Sequence, residues 1–220
     1  MRTVVFDLDG TLVDTSGDLI AAANVCFRDR GLGDVLDPAD DARVAFRGGR
    51  AMLREGFART GAGGEAEVEA DYDKLLAAYG HAICVHSRPY DGAWSAVETL
   101  KQRGFAVAIC TNKPEGLARD LMAALGTAHV LPTLIGADTL PVRKPDPAPL
   151  LEAIRRAGGD PDRALMVGDT ETDADAARNA GVKLVLVGFG PEGDAIARLD
   201  PDAMLDHYDA LPDLAGRLLS

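Results

Sequence analysis

Thr3-Val4-Val5-Phe6-Asp7-Leu8-Asp9-Gly10-Thr11-Leu12, residues 3–12, opens as an apolar, β-prone run and breaks into two acids and a glycine. That pattern predicts a buried strand delivering Asp7 to its carboxyl end. In extended chain, residues two apart point the same way with Cα atoms roughly 6.5–7 Å apart, a gap that one small ligand can span. Asp7 and Asp9 can therefore face a common ligand. Leu8 points away and anchors the strand, while Gly10 lets the backbone turn sharply and approach the ligand closely.

Working outward, the periodicity changes after Asp14. Leu19, Ala22, Ala23, Cys26 and Phe27 recur at helical spacing, and further helical stretches are predicted over Asp40–Phe46, Ala51–Arg59 and Glu65–Tyr79. Gly61-Ala62-Gly63-Gly64 breaks the last two apart, and His86–Gly92, with Pro89 inside it, reads as a return hinge. From Trp94 the pattern alternates. Helices to Arg103, over Glu115–Leu125, Ala148–Ala157 and through Ala174–Ala180 are interleaved with strands at Phe105–Cys110, Leu134–Gly136, Ala164–Val167 and Lys183–Val187. Such alternation predicts a doubly wound, Rossmann-like α/β core with a parallel sheet, because parallel neighbours need crossover connections. The predicted division is residues 1–15 with 88–220 as the α/β core and residues 16–87 as a small, all-helical cap, placed where open sheets bind ligands.

With 220 residues and 47% hydrophobic content, the chain can bury one sizeable core with a smaller satellite. A formal charge of -12 opposes binding to nucleic acid, which demands a basic surface. No run approaches the roughly 18 apolar residues of a membrane span, so the sequence predicts a cytoplasmic protein that engages no membrane. Cys26, Cys84 and Cys110 are odd in number and far apart, which indicates neither a disulfide framework nor a metal cluster.

Four separated stretches then stand in a meaningful order. They are Phe6–Asp14 with Thr15, the apolar run ending in Thr111-Asn112-Lys113, Lys144 within Arg143-Lys144-Pro145-Asp146-Pro147, and Gly168-Asp169-Thr170-Glu171-Thr172-Asp173. Together they resemble the motifs of the haloacid dehalogenase superfamily of phosphohydrolases, and the insertion point of residues 16–87 resembles its first cap class. Within that superfamily, Ile135-Gly136-Ala137-Asp138 followed by Lys144-Pro145, and the stretch Val187-Gly188-Phe189-Gly190, are similar to phosphoglycolate phosphatases.

The resemblance implies a Mg2+-dependent phosphatase acting on a small phosphorylated metabolite, as monomer or homodimer, with 2-phosphoglycolate the best-fitting substrate. Asp7 is implied as the carboxylate nucleophile that forms an aspartyl-phosphate, and Asp9 as the general acid and base. Asp169 with Asp7 and the main-chain carbonyl of Asp9 is expected to hold Mg2+, and Asp173 to orient metal-bound water. Gly10, the Thr111 hydroxyl, the main chain around Asn112 and the Lys144 ammonium are expected at the phosphoryl oxygens, Lys144 also pairing with Asp7. Thr111 is equally placed to cap the following helix.

In the cap, Arg47-Gly48-Gly49-Arg50 is expected between two helices, where a glycine-rich turn can present two guanidinium groups to a substrate carboxylate. Two solvated arginines flanking a loop fit the same residues. A phosphomutase or a phosphatase for another sugar phosphate shares the implied chemistry. A receiver-like phosphoacceptor module also uses Asp, Mg2+, Thr and Lys, but needs neither a helical cap nor a second acid such as Asp9.

Overall fold

Thr3, Val4, Val5 and Phe6 are all fully buried and form strand β1 (Thr3–Phe6) in a computed structural model that describes residues 1–220. Four consecutive buried positions suit a strand covered on both faces. The chain resolves into two compact units, Met1–Val13 with Pro89–Ser220, and Asp14–Arg88. Two-residue strands, β2 (Val13–Asp14) and β3 (Arg88–Pro89), lie at the crossings.

Residues 14–88 are helical, with α1 (Ser16–Asp29), α2 (Ala42–Ala45), α3 (Gly49–Thr60) and α4 (Glu65–His81). Their core is built around Phe27 and Phe57, whose rings meet edge to face with centroids 5.4 Å apart. A methyl group at Gly56 would overlap the Phe27 ring, so the roughly 1 kcal/mol that glycine costs a helix interior is offset by close ring packing. Arg30 forks onto Asp71 at 2.6 and 3.0 Å and ties the end of α1 to α4.

The other unit carries the sheet. To β1 are added β4 (Ala106–Cys110), β5 (Leu134–Ile135), β6 (Ala164–Gly168), β7 (Lys183–Val187) and β8 (Ala203–Leu205), in the order β5-β4-β1-β6-β7-β8. Every pairing is parallel. Its helices are α5 (Ala93–Gln102), α6 (Glu115–Ala124), α7 (Pro147–Arg156), α8 (Glu171–Ala180) and α9 (Leu211–Leu218). Val5, Ala108, Cys110, Met166, Leu184 and Leu186 pack with Leu150, Ile154, Ala174 and Ala177 of α7 and α8, the period-two set that one face of a sheet presents. Val4, Phe6, Ile109, Leu165 and Val167 are equally buried and alternate with them. The sheet is thus the Rossmann-like α/β core that the alternation predicts.

Three details differ from the sequence expectation. Helix α8 begins at Glu171, ahead of the apolar alanines, because Thr170 and Asp173 form a reciprocal capping box. Helix α2 is only four residues long, Ala42–Ala45. Strand β8 and helix α9 lie beyond the last predicted strand; three residues are too few to display an alternation.

Candidate active site

β1, β4 and β6 are adjacent in the sheet, and the residue following each is Asp7, Thr111 and Asp169 respectively. Open parallel sheets place ligands at this edge, where the strand order reverses. The Asp7 amide donates to the Val167 carbonyl at 2.9 Å and the Thr111 amide to that of Ile135 at 2.9 Å, so the ladder continues through both residues. Gly10 then turns with φ +81°, and a methyl group built on it would overlap the Asp169 carboxylate. The first and fourth motifs are packed against each other through that missing side chain.

Lys144 stands at the centre. Its Nζ is 3.0 Å from Asp7 Oδ1 and 2.6 Å from Asp173 Oδ1. Burial works against the ammonium, but Asp173 and Asp7 outweigh it and hold Lys144 charged, above the ordinary lysine range. The Asn112 side chain donates to the Lys144 carbonyl at 2.9 Å, and Asp146 caps α7 just beyond, so the lysine's loop is fastened on both sides. Both oxygens of Asp173 are engaged. One meets Lys144, and the other accepts from the Thr170 hydroxyl at 2.6 Å and from the Thr170 and Asp169 amides at 3.1 and 3.3 Å. Asp173 therefore anchors the lysine and ties it to the turn of Asp169 and Thr170.

A second ammonium, Lys113, reaches Asp9 Oδ1 at 2.6 Å. Thr111 Oγ1 accepts the Lys113 amide at 3.2 Å and so closes a local turn. Helix α6 begins after Pro114, with no side-chain cap, and the capping role open to Thr111 is not the one it takes.

Asp7, Asp169 and Asp173 each offer a carboxylate oxygen within 4.8 Å of the others, and all three residues are buried. Asp169 Oδ1 accepts the Thr11 hydroxyl at 2.7 Å, whereas its buried Oδ2 has no hydrogen-bond donor. Asp7 Oδ1, although close to Lys144, also accepts no aligned hydrogen bond. Burial lifts the Asp7 carboxyl to about 6 against the pull of Lys144, with Asp173 and Asp9 adding to the rise. Burial, then Asp173 and Asp7, push Asp169 well above the usual carboxylate range, with Thr11 and Lys144 opposing. Asp7, Asp9, Asp169 and Asp173 outnumber the ammonium groups paired with them, Lys113 and Lys144, and this excess of negative charge with the orphaned oxygens of Asp7 and Asp169 fits a divalent cation such as Mg2+.

The predicted cap residues belong to the helical unit. Gly49 and Arg50 form the first turn of α3 in the helical unit, so only Arg47 and Gly48 lie in the turn before it. Arg50 forks onto Glu69 at 2.6 and 2.9 Å and stacks over the Tyr72 ring, with its guanidinium carbon 3.5 Å from the centroid. Arg47 is exposed and Arg50 is committed to α4. Conversely, the Lys113–Asp9 and Thr11–Asp169 contacts join residues 104 and 158 positions apart, separations at which no local pattern signals a pair.

The description of the haloacid dehalogenase-like hydrolase family matches residues 1–181. A phosphoglycolate phosphatase of Mesorhizobium japonicum is 41% identical over 98% of this chain and 96% of its own. An N-acetylmuramic acid 6-phosphate phosphatase of Pseudomonas aeruginosa is 36% identical over 100% of this chain and 96% of its own. Among solved structures, a predicted phosphoglycolate phosphatase from Haemophilus somnus superposes with a TM-score of 0.84, at 27% identity and 97% coverage of both chains. With its four motif segments converging at one sheet edge and relatives aligned along nearly its whole length, the chain belongs to the haloacid dehalogenase-like hydrolases.

Proposed function

We propose that this hydrolase is a Mg2+-dependent phosphatase for small phosphomonoesters that carry a carboxylate, working through an aspartyl-phosphate on Asp7. The observation that carries the reading is the position of Asp7, a buried carboxylate beside Lys144 with an oxygen that accepts no aligned hydrogen bond. Asp7, Asp169 and the main-chain carbonyl of Asp9 would hold the cation. Bound there, Mg2+ supplies the positive charge that removes repulsion between a carboxylate nucleophile and the phosphoryl oxygens.

The chain's own groups then divide the work. An oxygen of Asp7 attacks phosphorus; the P–O bond to the substrate alkoxide breaks, and the leaving oxygen takes a proton from the Asp9 carboxyl. Lys144, Thr111 and the main chain at Asn112 donate to the phosphoryl oxygens as charge builds on them. In the second half Asp9 takes a proton from water, whose oxygen attacks phosphorus. The bond to Asp7 breaks, which frees inorganic phosphate and restores the carboxylate. Asp173 keeps Lys144 in place throughout.

Two relatives, a phosphoglycolate phosphatase and an N-acetylmuramic acid 6-phosphate phosphatase, have names that denote phosphomonoesters bearing a carboxylate. This supports 2-phosphoglycolate as the first substrate to try and a carboxylated sugar phosphate as the second. Residues 14–88 are our candidate cap, and the exposed Arg47 our candidate for the substrate carboxylate.

Phosphate release with Mg2+ from a metabolite panel, including phosphoglycolate and hexose phosphates, tests the reading. Turnover of a carboxylated ester should exceed that of its uncarboxylated counterpart, and Asp7→Asn should abolish it. Release equal to that of the Asp7→Asn protein on every ester would refute the proposal. Return of phosphate to a second hydroxyl of a sugar, instead of to water, would identify a mutase.

A further inference from the structure

Tyr208 is fully buried, 201 positions beyond Asp7, and the mechanism makes no use of it. Its hydroxyl donates to the Thr11 carbonyl at 2.7 Å. The Thr11 hydroxyl in turn donates to Asp169 Oδ1 at 2.7 Å. Both oxygens of the Asp169 carboxylate are thereby distinguished: one is fixed by Thr11 and the other is left without a donor.

The phenol has an aromatic neighbour. Its ring packs on Phe189 with centroids 5.3 Å apart, and Phe189 packs on Tyr90 at 4.8 Å. The Tyr90 amide donates to the Leu12 carbonyl at 3.1 Å, next in sequence to the carbonyl that Tyr208 serves. Two neighbouring carbonyls of the turn after β1 thus each accept one hydrogen bond, from Tyr208 and from Tyr90. Residue 190 closes the arrangement, since a side chain there would touch Asp169 Cβ and the Gly10 carbonyl.

We infer that Tyr208 is a positioning residue for the cation site: through Thr11 it fixes the Asp169 carboxylate so that Oδ2 is presented to a divalent ion. The inference rests on the proposed metal reading and extends it to a residue that touches neither the ion nor the substrate. Groups hydrogen-bonded directly to a metal ligand typically change metal affinity about 10- to 100-fold when removed; Thr11 is such a group, and Tyr208 acts through it. The aromatic stack makes the test clean, because Tyr208→Phe removes one oxygen and keeps the ring.

Mg2+ binding to the purified protein by calorimetry, and Mn2+ binding by electron paramagnetic resonance, are measured for wild type, Tyr208→Phe, Phe189→Leu and Asp169→Asn, with urea unfolding alongside. Tyr208→Phe is expected to weaken binding of both ions toward the lower end of that range, about 10-fold. Its turnover should recover at saturating Mg2+ with an unchanged substrate KM. Phe189→Leu, which loosens packing and keeps the hydroxyl, should lose stability and retain affinity. Affinity of Tyr208→Phe within twofold of wild type would overturn the inference, as would an equal loss in Phe189→Leu, which would make packing the cause. An Asp169→Asn protein that binds Mg2+ as wild type does would instead overturn the metal reading, and the inference with it.

Discussion

Asp173 Oδ1 lies 2.6 Å from Lys144 Nζ, between side chains that are 0% and 2% exposed. An ion pair so fully removed from water is costly to break from one side, because the partner left behind is a buried charge. Lys144→Met strands two carboxylates, Asp7 and Asp173, and should destabilise the protein by about 3–5 kcal/mol in urea unfolding. Asp173→Asn should be costly too, and the double substitution should cost clearly less than the sum of the two. Energies that add within about 0.5 kcal/mol would show that the pair is not coupled.

Gly10 carries a second prediction. Its φ of +81° is one that residues with side chains seldom adopt, and the space a methyl group would need belongs to the Asp169 carboxylate. Gly10→Ala should lower stability by about 1–3 kcal/mol, and it should also weaken Mg2+ binding because Asp169 must shift. Calorimetry reads the second effect; an unchanged Mg2+ affinity would show that Asp169 does not need this close approach.

The three thiols should separate by reactivity. Burial pushes Cys110 up to about 12 and, with Asp71, Cys26 up to about 11. Cys84 is also raised, chiefly by burial, but is only half-buried. At pH 8 an aromatic disulfide reagent should titrate one thiol quickly, at Cys84, and the other two only after unfolding in denaturant. Rapid reaction of three thiols in the native protein would contradict this.

In the helical unit, Asp41 receives Arg59 Nη1 at 2.8 Å and the Asp37 amide at 2.8 Å. The Arg59 hydrogen bonds, helped by the Asp37 amide and opposed by burial, hold its carboxyl below the ordinary value. The folded unit therefore binds this proton less readily than the unfolded chain. Its stabilising contribution is complete above the unfolded carboxylate pKa of about 4 and fades as pH falls through the lowered folded value. Urea midpoints of wild type and Asp41→Asn should differ most near pH 7 and converge toward pH 3. A gap that stays constant with pH would refute the assignment.

The strands that position the site were legible because each is an apolar run closed by polar residues at the sheet edge, as at Phe6–Asp7 and Cys110–Thr111. Lys183–Val187 has the bounds its sequence predicts. Contacts assembled by the fold were not legible. Lys113 shows no affinity for Asp9 in a sequence window, and Tyr208 stands 197 positions from the carbonyl it serves. Arg50 is the converse case. A turn rich in glycine suggests a free guanidinium, but Glu69 and Tyr72, on the facing helix, claim it. The motif resemblance points to Asp173, but its pairing with Lys144, 29 positions away, is legible only in the fold.

β1 has a hydrogen-bonded neighbour on each side, β4 and β6, and no edge of its own. Amide protons at Val4–Phe6 can then exchange with solvent only when the whole sheet comes apart, not through fraying of a margin. The position of the Asp7 backbone inherits the cooperativity of the domain. On heating, the protein should keep its geometry sharp up to the global transition, and its loss of function there will be a melting event.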